Sequence, residues 1–109
     1  MDLFLILIAI HFLCDFPLQG DFMAINKSKK AFKDWWVVLI AHCFIHGLGV
    51  WAALILFGYN SGVAISSMIF MIVSHFMIDL SKNNNLISFK TDQLLHLVVL
   101  LVISIGVQQ

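Results

Sequence analysis

The sequence predicts an all-α integral membrane protein, a four-helix bundle with short loops. Three observations predict it: a composition too apolar for a soluble surface, four apolar stretches near spanning length, and lysines confined to alternate connections. The chain of 109 residues is 61% hydrophobic and 11% charged, with a mean hydropathy of +1.01. A soluble domain carries about 25% charged residues to cover its surface. Here six lysines and six aspartates supply all the charge, without a single Arg or Glu. Residues 1–109 read as one domain, with no repeat, low-complexity tract or linker.

The apolar stretches cover residues 3–14, 35–57, 63–80 and 94–107. The second and third reach the roughly 17–25 residues of a spanning helix, while the first and last need flanking polar residues to do so. At the start, Asp2 stands where a secretory leader has positive charge, and no small-residue cleavage pattern follows. The first helix is therefore expected to be retained. Pro17 lacks a backbone donor and disfavours helical geometry at Phe16, so helix one should end or kink near Asp15. Residues 18–32 mix apolar and lysine residues, as a segment at the membrane interface does. The composition of residues 58–62, Gly-Tyr-Asn-Ser-Gly, suits a tight turn between the second and third stretches. Asn83, Asn84 and Asn85 form a polar break, and Ser88 or Thr91 is placed to cap the last helix with Asp92 in its first turn.

Lys27, Lys29, Lys30 and Lys33 lie between the first two stretches, and Lys82 and Lys90 between the last two. In a four-helix chain both connections fall on one side. The positive-inside rule makes that side cytoplasmic, with both termini outside. Cys14 and Cys43 lie within predicted helices and read as small apolar filler.

Against this background stand four pairs of ionisable residues spaced four apart: His11/Asp15, His42/His46, His75/Asp79 and Asp92/His96. Residues four apart share one helix face. Eleven His and Asp residues scattered at random would give about one such pair, whereas the sequence has four and none at spacings of one, two, three or five. All four pairs fall in the half of the bundle that carries the lysines, with His11, His75 and His96 one turn deeper than the aspartates and His46 deepest. His42, His46, Gly49 and Ala53 share a stripe whose small residues allow close helix approach, and Ser67 and Ser74 do the same on helix three.

Ionisable groups in apolar helices are costly unless paired or bound. Imidazole and carboxylate together suit a divalent transition metal, most readily Zn, and His11, Asp15, His42, His46, His75, Asp79, Asp92 and His96 supply enough ligands for one or two ions. A ferritin-like di-iron site, built on Glu-x-x-His, does not fit a chain without glutamate.

The run His11-Phe12-Leu13-Cys14-Asp15-Phe16-Pro17-Leu18-Gln19, followed by Lys27, the pair His42/His46, the run from His75 to Asp79 with Lys82, and Asp92-Gln93 with His96 resemble a small bacterial and phage membrane family, domain of unknown function 3307. That resemblance covers nearly the whole chain. It implies an integral membrane protein, often phage-encoded, without assigned biochemistry. A more distant similarity in ligand types and helical build runs to inner-membrane metal-dependent hydrolases, and beyond them to zinc-dependent phospholipase C and P1 nuclease enzymes.

Three functions follow as expectations. The first is a metal-dependent hydrolase of a phosphoester, a lipid or lipid-linked headgroup, with Asp15, Asp79 and Asp92 as outer ligands or general base. Lys27, Lys82, Gln19 and Gln93 would hold its substrate. The second is a non-catalytic membrane interaction protein with a structural metal or hydrogen-bonded His/Asp cluster. The third is a proton, ion or haem module. The expected partners are the lipid bilayer and a lipid or phosphorylated small molecule, with no nucleic acid.

Overall fold

Helix boundaries follow from the punctuation just described. The structure, a computed structural model, describes residues 2–28 and 33–109. Lys29 and Lys30 of the lysine run, and the end of the 18–32 segment, lie outside the described residues. Within them the chain forms five helices and no strand: α1 (Asp2–Asp15), α2 (Gly20–Asn26), α3 (Trp35–Leu56), α4 (Ser61–Asn83) and α5 (Phe89–Val107).

As Pro17 requires, α1 ends at Asp15. Its 14 residues span about 21 Å, short of the roughly 30 Å hydrocarbon core. The chain then turns through 85° into α2, with Gly20 at φ +71° accommodating the bend. The bundle thus has four helices with an added short one, where the sequence suggested only an interfacial segment. Seven residues are too few for a periodic signal. Of the two cap candidates for α5, Ser88 is the one used, accepting from the Thr91 backbone N–H. Asn60 caps α4 in the same way through Val63, just after Gly58 at φ +86° closes α3. α3, α4 and α5 are each long and apolar enough to cross a membrane, as is α1 joined to α2 across its bend.

The four long helices form a ring. α1 and α4 each pack against α3 and α5, and α2 lies on α3. Two glycines set the spacing of α3 from its neighbours. A Cβ on Gly47 would stand 2.5 Å from Ile72 Cγ1 of α4, and one on Gly49 2.5 Å from Ile10 Cγ2 of α1. Ser74, read as an interface residue, is half-buried, and its hydroxyl donates to the Phe70 carbonyl of its own helix at 2.7 Å.

Each of the four long helices buries one stripe, and each stripe changes character along its length. On α1 the stripe is Leu3, Leu7, His11, Asp15; on α4 it is Ala64, Ser67, Met71, His75, Asp79; on α5 it is Asp92, His96, Leu100, Ile103. One half of the bundle is consequently an apolar core of Leu3, Leu7, Val50, Ala53, Leu54, Ala64, Met71, Leu100 and Ile103. The other half encloses the ionisable pairs.

Candidate metal centre

Four helices deliver eight ligand-type side chains to one place because every stripe carries its His/Asp pair at the same end. That end is the C-terminus of α1 and α4 and the N-terminus of α3 and α5. His11, His42, His46, His75 and His96 are each at most 1% exposed, and Asp15, Asp79 and Asp92 are buried beside them.

Two carboxylates organise the cluster. Around Asp15 stand His46 Nε2 at 2.9 Å, His11 Nε2 at 3.3 Å and His42 Nε2 at 3.4 Å. Around Asp79 stand His96 Nε2 at 3.0 Å, His75 Nε2 at 3.4 Å and His42 Nε2 at 3.5 Å. Asp92 lies 3.5 Å from His96. All five imidazoles therefore turn Nε2 inward. The layering expected from sequence is compressed, since Asp15, read as an outer group, meets His46, read as the deepest. The contact joins the last residue of α1 to a residue about three turns into α3.

Hydrogen bonding alone leaves this arrangement incomplete. The single Nε2 of His42 lies within 3.5 Å of Asp15, Asp79, His75 Nε2 and Lys27 Nζ, and can serve only one of them. The Nδ1 atoms of His11, His42, His75 and His96, with Asp79 Oδ2 and Asp92 Oδ1, are buried without a hydrogen-bond partner. Buried polar atoms are normally satisfied; the Nδ1 atoms lie on the far side of rings that turn Nε2 inward, whereas the two carboxylate oxygens face the cluster and call for a ligand there. Ligands bound at about 2.0–2.2 Å in tetrahedral geometry lie roughly 3.3–3.6 Å apart. The contacts of 3.2 to 3.5 Å among His11, Asp15, His42, His75 and Asp79 match that spacing. Two groups have ligand atoms all within 4.8 Å of one another and are able to hold a metal ion: Asp15, His42, His46, His75 and His75, Asp79, His96. With imidazoles neutral, as ligation requires, three carboxylates against the one ammonium of Lys27 leave two negative charges for a cation to balance.

The polar residues expected at the mouth fall closer in than the sequence suggested. Lys27 Nζ is 3.4 Å from His42 Nε2 and 3.9 Å from Asp79 Oδ2. Asn83 holds Lys27 there by donating to its carbonyl at 2.9 Å. Gln93 belongs to the cluster itself: its amide donates to Asp15 at 3.1 Å and Asp92 at 3.2 Å, and its oxygen accepts from His11 at 3.2 Å. Gln19 donates to the Asp15 carbonyl at 2.8 Å. Lys82 stands over the Phe89 ring, 5.2 Å from its centroid. A cavity of about 200 Å³ reaches the cluster, and Gln19, Lys27, Lys82 and Gln93 line it beside Asp15, Asp79 and Asp92. Phe16, Ala24 and Phe89 complete its wall. Sequence reasoning did not single these three out. Phe16 entered only through the backbone effect of Pro17, and Phe89 stands one helical turn before Gln93. Cys14 and Cys43 are free and buried, and neither belongs to a candidate metal group.

No curated protein and no solved structure matches the chain, so nothing in these comparisons links it to a hydrolase. One family model does match, over residues 3–109, which is nearly the whole chain. The chain therefore belongs to the family described as Protein of unknown function (DUF3307).

Proposed function

We propose that this protein is a membrane-embedded, metal-dependent hydrolase of a phosphoester carried on a lipid or lipid-linked headgroup. The observation that carries the reading is the cavity over the His/Asp cluster, where two ammonium groups, two amides and two phenyl rings meet three carboxylates. Cations and amides suit a phosphate, and apolar walls suit the chain it is attached to. His11, His42, His46, His75 and His96 are the proposed ligands, with Asp15, Asp79 and Asp92 as further ligands or general base. Five imidazoles favour Zn over the hard, oxygen-loving ions. Bound there, a divalent ion supplies polarisation of a phosphoryl oxygen and a water activated near neutral pH. Lys27 and Lys82 bind the phosphate oxygens, Gln93 orients Asp15 and Asp92, and Gln19 lines the entry. In this reading the lysine-bearing end faces the cytoplasm of a bacterial inner membrane, with both termini outside. No nucleic acid takes part.

Phosphate release from phosphatidic acid in mixed micelles, with Zn-loaded protein, tests the reading. Wild type should turn over, and His75→Ala should lose at least about 100-fold while keeping its helical content. Equal activity in the variant, or an inert metal-loaded wild type, sinks the proposal. One observation favours a structural role instead. The cluster makes many of its contacts internally, with Lys27 beside Asp79 and His46 and His96 each donating to a carboxylate. A conduit across the membrane would have to run through the opposite half of the bundle, where the buried residues described are apolar apart from Ser67 and Ser104.

A further inference from the structure

The cluster holds more ligands than one ion can use, and their distribution separates them into two sets. Ligands of one ion at about 2.0–2.2 Å cannot lie more than roughly 4.4 Å apart. The two groups of mutually close ligand atoms share His75 alone, with Asp15 in one and Asp79 in the other. Asp15 also gathers His11, and Asp92 stands behind His96. His42 lies between the carboxylates, 3.4 Å from Asp15 and 3.5 Å from Asp79. The rings of His46, His75 and His96, from α3, α4 and α5, form a stacked column with centroids 3.9 and 4.0 Å apart. The two outer rings of that column, His46 and His96, belong to different groups, and the middle ring, His75, is the one they share.

We infer that the centre is dinuclear. One ion is held by Asp15, His42 and His46 and the other by Asp79 and His96, with His75 between them and with His11 and Asp92 adjoining Asp15 and His96. Two divalent ions against three carboxylates leave one positive charge, and Lys27 adds a second, which suits a phosphate monoester dianion in the adjoining cavity. This rests on the metal-binding part of the function proposed above, and it deepens that reading by setting the number of ions and the charge of the substrate.

Metal content read without substrate tests it. Wild type dialysed against Zn should carry two ions per chain, His46→Ala one, His96→Ala one, and the double variant fewer than one. A single ion in wild type overturns the inference, as does a His96→Ala protein with the full wild-type content. Should a variant fail to fold, wild type decides alone. Two equivalents of Mn(II) should give an exchange-coupled paramagnetic spectrum, and an isolated six-line signal at full loading overturns the inference. An inactive protein holding two coupled ions defeats the hydrolase reading only, and an active protein holding one ion defeats this inference only.

Discussion

The two halves of this bundle use the same helices and the same spacing for opposite purposes. In the apolar half, Leu3, Leu7, Val50, Leu54, Met71 and Leu100 fill the space between helices with side chains that ask nothing of one another beyond contact. In the polar half, the next turns of the same stripes present His11, Asp15, His75, Asp79, Asp92 and His96, whose burial is unfavourable unless each finds a partner. Lipid tails are as apolar as leucine, so packing rather than water exclusion holds the first half. Electrostatics holds the second. A bundle this small gives up half its interior to ionisable groups only if that half does something, which is what directs attention to the cluster.

The largest expected effect lies in the polar half. Asp79→Ala leaves His75, His96, His42 and Lys27 facing an empty position and should cost about 3–5 kcal/mol in detergent unfolding, with loss of bound metal. A variant as stable as wild type would break the contrast, making the cluster merely tolerated. In the apolar half, Leu100→Ala removes a fully buried side chain and should cost about 2 kcal/mol, since cavity formation applies while transfer from water does not. Metal content should stay at the wild-type level, and a joint loss of metal and stability would show the halves to be coupled. The smallest effect is expected where the halves meet. Gly47→Ala drives a Cβ onto Ile72 and should cost about 1 kcal/mol as α3 and α4 move apart, read as a lowered melting temperature. If metal affinity drops as well, the ligand spacing depends on that close approach.

The candidate site was legible to an unusual degree, for a physical reason. A pair at spacing four marks a helix face whatever the rest of the fold does, and four pairs at the same ends of antiparallel helices have little choice but to converge. Pro17 announced the end of α1, and Gly58 and Asn60 the turn between α3 and α4. Other features had no local signature. The role of Gln93 rests on contacts to Asp15 and His11, 78 and 82 residues away in sequence. The approach of Lys27 to His42 and Asp79 depends on the 85° turn and on Asn83 across the bundle.

What the sequence determined by itself is the membrane-compatible helical class, the ends of the four long helices and the identity of eight buried ionisable residues. Composition and helical period act locally and need no knowledge of neighbours. Only the tertiary structure decided how those residues are shared out. Asp15 collects three imidazoles from α1 and α3, and Asp79 collects three from α3, α4 and α5. That division follows from the ring, in which α1 and α4 face each other across α3 and α5, and no single helix carries it.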